Sequence, residues 1–142
     1  MSERAAAYVE WYGKARIQTW TTPRTLFDEL HARYQFTLDG AASHGNALLP
    51  RYATAAEPVE WAGERVFCNP PWSLIKPFVD LAPFAELAVL LVPARVNSRW
   101  FHRALGYGAR VEFFLGRPKF GTGAIANSPV DCLLLKFGAG AV

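Results

Sequence analysis

Residues 86–93, "ELAVLLVP", form an aliphatic run with no polar alternation, which predicts a strand covered on both faces. Helical spacing governs "TPRTLFDELHARY" instead, where Leu26, Phe27 and Leu30 fall on one side. With Thr22 as N-cap and Pro23 as the first helical residue, a helix is expected from about Pro23 to Tyr34. "QFTLD" then reads as a short strand ending at Asp39, and "GAASHGNALLP" as a small-residue turn into a brief helix or an irregular loop. "ERVFCN" is a second short strand, ending at Asn69. "SLIKPFVDLAPF" has helical character but carries Pro77 and Pro83, so its helix is either short and started by Pro77 or broken. "NSRWFHRALGYG" predicts a helix capped by Asn97 or Ser98, with Trp100, Phe101 and Leu105 apolar and glycines to end it. "RVEFFLG" and "VDCLLLKFG" read as two last strands joined through a loop rich in Gly, Asn, Ser and Pro, an antiparallel pair at the sheet's end.

Strands alternating with helices, and an antiparallel pair last, predict an open α/β sheet with helices on both faces. Such sheets bind ligands beyond the carboxyl ends of their strands, where strand order reverses. Asp39 and Asn69 are each expected at such an end.

Composition narrows the setting. A chain of 142 residues that is 51% hydrophobic has the content of one domain with a real core, and no repeat, low-complexity tract or long linker divides it. Residues 1–142 are therefore read as a single domain. No window holds the roughly 20 apolar residues of a membrane span, and the start "MSERAAAYVEWYGK" lacks the apolar segment of a secretion signal. A cytoplasmic protein with no membrane partner is expected. Cys68 and Cys132 sit in apolar runs with no Cys or His at metal-ligand spacing, so they read as small core residues and no metal is expected. A formal net charge of +3 permits nucleic-acid binding through a local patch but does not establish it.

The candidate chemistry lies in "VFCNPPWS", residues 66–73. Asn69, Pro70, Pro71 and Trp72 stop a buried strand where a site is expected. An exocyclic or amide nitrogen is a weak nucleophile because its lone pair is delocalised. The Asn69 side-chain oxygen and the Pro70 carbonyl can accept from its two N–H groups, favouring the pyramidal, cationic nitrogen of a transfer transition state. The prolines hold the backbone so that both acceptors converge, and Trp72 offers a flat face for a planar substrate. The bland alternative is a rigid surface turn carrying a half-buried Trp. A general base is not required, because the product amine can lose its proton to solvent, and His31, His44 and His102 read as surface or packing residues.

The tetrapeptide resembles the motif of S-adenosylmethionine-dependent methyltransferases that act on amino groups. Taken with "WTTPRTLFDELHARYQFTLDGAASHGNALLPRY", "WAGERVFCNPPWSLIKPFV" and "GRPKF", the chain resembles the small phage-type DNA N-6-adenine methyltransferases from about Trp20 to Phe137. The resemblance implies a Rossmann-like methyltransferase fold, mostly parallel with an antiparallel strand at its end, a motif-bearing core of about 20–137 and an N-terminal extension of 1–19. It also implies S-adenosylmethionine as cofactor, with Thr22, Pro23, Asp39, Gly40, Ala41 and Ala42 lining its pocket and Asn46 and Asn69 beside it. Asp39 at a strand end can accept from the cofactor's amino group or a ribose hydroxyl, and Gly40, Ala41 and Ala42 let backbone approach closely. Its ordinary alternative is a turn residue or helix cap.

Double-stranded DNA is the implied partner, with the target adenine extruded. The chain is expected to act as a monomer or weak homodimer in a bacterial cell or phage-infected host. Candidate DNA contacts are Ser98, Arg99, Arg117 and Lys119, the last two in a Gly-rich loop; Arg95, Arg103 and Arg110 are further cations that a solvated helix face also explains. Two other readings stay open: a degenerate methyltransferase scaffold that binds nucleic acid without activity of its own, and an amino-methyltransferase acting on RNA guanine or protein glutamine. The short chain favours the scaffold, and the intact motif favours an enzyme. A cytosine-C5 enzyme fits poorly, since it needs a thiol in the site and Cys68 precedes Asn69 within the strand.

Overall fold

The computed structural model describes residues 21–54, 56–115 and 131–142. Helix α1 (Arg24–Tyr34) leads into strand β1 (Leu38–Asp39), and strand β2 (Arg65–Cys68) follows after a long loop. Helix α2 (Lys76–Leu81) continues into a 3-10 turn, Ala82–Phe84, before strand β3 (Leu87–Pro93). Helix α3 (Arg99–Gly106), strand β4 (Arg110–Phe113) and strand β5 (Cys132–Phe137) complete the described fold. The strands form one open sheet in the order β1-β2-β3-β5-β4. β1, β2 and β3 are parallel, and β5 runs antiparallel to both of its neighbours.

The unbroken aliphatic run of β3 is explained by what covers it. Leu87, Val89 and Leu91 pack with Phe27, Leu30 and Tyr34 of α1, while Ala88, Leu90 and Val92 pack with Phe78 and Val79 of α2 and Phe101 and Ala104 of α3. Both faces are therefore dry, as a helix-covered sheet requires. Cys68 and Cys132 are buried in these two clusters and form no disulfide, the packing role expected of them.

Several expected boundaries shift. Pro23, not Thr22, occupies the N-cap position of α1 and, having no polar side-chain atom, makes no side-chain cap bond, while the Thr22 hydroxyl accepts from Asn69 Nδ2. "QFTLD" is strand only over its last two residues. Gln35 leaves α1 in the left-handed region at φ 51 and bonds back to the His31 carbonyl, and the His31 ring takes the Phe36 N–H at 3.1 Å. "GAASHGNALLP" forms turns and no helix, and "ERVFCN" is strand only over Arg65–Cys68. The helix of "SLIKPFVDLAPF" starts at Lys76 with Pro77 in its first turn, and Pro83 falls in the 3-10 turn that ends it. Ser98, one of the two expected caps of α3, accepts from the Phe101 N–H. The expected antiparallel pair, β4 and β5, does lie at the sheet's end. β5, buried throughout, inserts beside β3 and leaves the half-exposed β4 as the edge, so the more apolar strand takes the covered position.

One buried charge braces this end. Lys136 of β5 is 7% exposed and meets Glu112 of β4 at 3.1 Å and the Tyr34 hydroxyl at 3.3 Å. Arg33 of α1 grips the same Glu112 through two bonds of 3.2 Å. These contacts hold the Glu112 carboxyl below its usual range, the Arg33 hydrogen bonds being the largest cause. Removing only one partner strands the buried ammonium, whereas removing the ammonium itself does not. Glu112→Gln is therefore expected to destabilise the protein by about 1–3 kcal/mol, below the fully buried limit because Glu112 is partly solvated, and Lys136→Met should recover part of that loss in the double variant. Urea unfolding of the two single variants and the double variant checks this; an additive double variant would contradict it.

Candidate active site

β1 and β2 pair as parallel neighbours, Leu38 opposite Val66 and Asp39 opposite Phe67. The Gly40 N–H extends this pairing to the Phe67 carbonyl at 2.8 Å. On the other side of β1 the chain returns at Tyr52 in a parallel bridge to Asp39, with Asp39 N–H bonded to the Arg51 carbonyl and Ala53 N–H to the Asp39 carbonyl. After β1 the chain thus goes to one side, then crosses to β2 on the other. Strand order reverses here, which opens a crevice at the carboxyl ends of β1 and β2. Both sequence-derived groups of residues flank it.

The first group is the loop after β1. Asp39 is 3% exposed, and its two carboxylate oxygens accept from the Ala41 N–H at 3.3 Å and the Leu48 N–H at 3.1 Å, tying the two ends of the loop together. Among the described residues no cationic side chain pairs with it. Burial is the main influence on this carboxyl and raises it to about 6, against the lowering effect of the Leu48 and Ala41 hydrogen bonds. Gly40 is needed for close packing: a Cβ there would lie 2.6 Å from Cζ2 of Trp61 and 2.9 Å from Cγ1 of Val66. Ala42 is buried and bonds to the Ala53 carbonyl, while Ala41 is half-buried. Asn46 is exposed and braces the loop through the Ser43 N–H at 2.7 Å.

The second group is the turn after β2. Asn69 is 8% exposed, and its Nδ2 donates to the Thr22 hydroxyl at 3.2 Å, across 47 positions of sequence. That bond orients the amide, turning Oδ1 to the opposite side. Pro70 and Pro71 are buried. The Pro71 carbonyl accepts from the Leu74 N–H at 2.9 Å, but the Pro70 carbonyl accepts from no described residue. Trp72 is half-buried and packs where the core clusters of the two sheet faces meet.

Ser98 and Arg99 lie just beyond β3, whose carboxyl end is next to that of β2. Arg99 is exposed, and Ser98 is engaged as the cap of α3. Arg103 is bound by Asp80, which also holds Lys76 at 2.8 Å and the Tyr107 hydroxyl at 2.8 Å, so it serves the α2–α3 contact. Arg117 and Lys119 lie outside the described residues. Trp61 received no role from its sequence position, although it forms the floor under Gly40; an aromatic residue shortly before a site strand was the available signal. No group of His, Cys, Asp and Glu among the described residues is arranged to hold a metal. No helix among them is long and apolar enough to cross a membrane.

This topology, with the crevice at its strand reversal, is that of a Rossmann-like methyltransferase. A crystal structure from Pyrococcus horikoshii, described as a candidate RNA methyltransferase, shares the fold with a TM-score of 0.57 at 12% sequence identity, over 97% of each chain. The chain belongs to the DNA N-6-adenine-methyltransferase (Dam) family, whose profile matches residues 12–131. No curated protein matches it in sequence. Family and fold imply use of S-adenosylmethionine. The crevice fits such a group, for it offers a desolvated carboxylate without a cation and a backbone segment at Gly40 that is closely packed from beneath.

The Asp39 carboxyl should titrate with a midpoint near pH 6, which carbon-13 NMR of labelled aspartate can follow. Its folded value lies above the ordinary 3.8, so its contribution to stability is present below pH 3.8 and is lost as pH rises toward 6. A midpoint near 4 would show the carboxylate to be solvated.

Proposed function

We propose that this chain transfers a methyl group from S-adenosylmethionine to the N6 amino group of an adenine extruded from double-stranded DNA. The observation that carries the reading is the pair of acceptors at the end of β2: an Asn69 amide oriented by Thr22, next to the Pro70 carbonyl, to which no described residue donates. Membership of a DNA N-6-adenine-methyltransferase family supports the substrate.

Each residue then has a physical task. Asn69 Oδ1 and the Pro70 carbonyl accept from the two N–H groups of the adenine amine, which draws its lone pair out of conjugation and stabilises the positive charge developing on nitrogen. Trp72 stacks on the purine ring, and the buried prolines keep the acceptors from shifting. Thr22 contributes by holding the Asn69 amide in the accepting orientation. Asp39 receives the cofactor's ammonium group, and the packed Gly40 backbone shapes the pocket beside it. S-adenosylmethionine, when bound, supplies an electrophilic methyl group. After transfer the amine releases its proton to solvent.

Asn69→Ala should slow methyl transfer by on the order of 100-fold or more while cofactor binding survives, the scale for deleting a transition-state hydrogen bond. Thr22→Val should cost less, about tenfold, by freeing the amide to rotate. Trp72→Ala should weaken retention of the extruded base, visible as 2-aminopurine fluorescence at the target, and Trp72→Phe should retain much of the activity. The measurement is incorporation of labelled methyl into DNA, RNA and protein substrates, followed by identification of the modified atom. Label on RNA guanine or protein glutamine would replace the proposed substrate, and an Asn69→Ala variant as fast as wild type would reduce the motif to a turn.

Cofactor affinity should fall below about pH 6, by up to about tenfold per pH unit, because protonation removes the Asp39 charge that meets the ammonium. Asp39→Asn should bind more weakly and without that pH dependence. Calorimetry across pH 5–8 decides; parallel profiles for the two proteins would place the ammonium elsewhere.

A further inference from the structure

Of the ten Lys and Arg side chains among the described residues, seven pair with a carboxylate, which leaves Arg95, Arg99 and Arg110. Arg110 opens β4, and β4 runs parallel to β3, so it lies at the far end of the sheet. The other two flank one tight turn at the site's end. β2 and β3 pair in parallel up to Cys68 opposite Leu90, so their carboxyl ends are neighbours and the Asn69 turn leaves β2 beside the end of β3. The turn at residues 95–98 begins two residues beyond the end of β3, one strand over from the Asn69 turn.

Its build is stiff. The Ser98 N–H and hydroxyl both donate to the Arg95 carbonyl, at 3.1 and 2.7 Å, and Ser98 also caps α3. Arg95 N–H bonds to the Pro93 carbonyl at 2.8 Å, and Ala94 N–H bonds to the Asp131 carbonyl beside β5 at 2.7 Å. Val96 and Asn97 occupy the tip, and Val96 is 51% exposed. A single exposed valine is ordinary on a protein surface. This one is held on a braced turn between two cations that pair with no carboxylate among the described residues, one strand over from the Asn69 turn.

An enzyme that draws a base out of a duplex must offset the lost stacking, and apolar wedges inserted between base steps do so. Cations beside such a wedge hold it by binding backbone phosphates. We propose that the Arg95–Ser98 turn is the duplex-opening element: Val96 enters the stack in place of the extruded adenine, while Arg95 and Arg99 grip phosphates on either side. The proposal rests on DNA being the substrate, and it adds a positioning residue outside the methyl-transfer machinery.

The full chain is tested on three substrates: a duplex, the same target strand unpaired, and a duplex with the target adenine opposite an abasic site. Val96→Ser should methylate the duplex at least about tenfold more slowly, yet stay within about twofold of wild type on the single strand and recover on the abasic duplex, where extrusion costs less. Val96→Leu, which keeps apolar bulk, should retain the duplex rate. Arg95→Ala and Arg99→Ala should each reduce the salt dependence of duplex binding by about one unit of slope. Equal rates for Val96→Ser and wild type on the duplex, or an equal loss on all three substrates, would overturn the wedge. Wild-type protein that methylates RNA or protein but none of the three DNA substrates would overturn the DNA reading itself, and the wedge with it.

Discussion

The candidate site depends on the pairing of two short strands. β1 has only two residues, and its register with β2 is what sets Asp39 beside Phe67 and hence the β1 loop beside Asn69. Two rungs are a weak hold, and the Gly40 bond to Phe67 adds a third. That bond needs Gly40 pressed onto the Trp61 indole and the Val66 side chain, at a separation that admits no Cβ. A side chain at this position would push the loop off its floor and separate the two groups that make up the crevice.

Buried charges are treated differently at the two ends of the molecule. Lys136 is enclosed by Glu112 and Tyr34, and Glu112 in turn by Arg33, so the far side of the sheet carries a closed ionic network. Asp39 is as deeply buried but, among the described residues, receives only backbone N–H groups. A carboxylate desolvated without a counter-cation costs stability, and such costs concentrate where a ligand supplies the missing partner. The Pro70 carbonyl, unclaimed by any described donor, is a neutral acceptor in the same crevice. Both of these groups lie where the strand order reverses.

Much of this was legible in the chain. The covered strand β3 follows from an aliphatic run without alternation, and a β-period or helix-period pattern is local enough to read from neighbours in sequence. Pro77 in the first turn of α2 and Ser98 as the cap of α3 were equally local, because each acts on backbone within a few residues. Asp39 and Asn69 were placed at strand ends by the same reasoning. Thr22 shows where it stops: the residue has the chemistry of a cap and stands where a cap belongs, yet its hydroxyl goes to Asn69. The role of Trp61 was invisible for a related reason, since the contact that gives it meaning is with Gly40, 21 positions away.

The sequence by itself thus determined the class of fold, the strand ends at which chemistry gathers, and the acceptor-rich tetrapeptide after β2, all of which depend on short-range periodicity and residue type. Only the tertiary structure decided that β5 slips between β3 and β4, that the chain visits Tyr52 before crossing to β2, that Thr22 sets the Asn69 amide, and that Arg95 and Arg99 pair with no carboxylate among the described residues. Those outcomes are choices among partners far apart in the chain. They are settled by which pairings bury the most apolar surface and leave the fewest charges unmatched, quantities that exist only once the chain has folded.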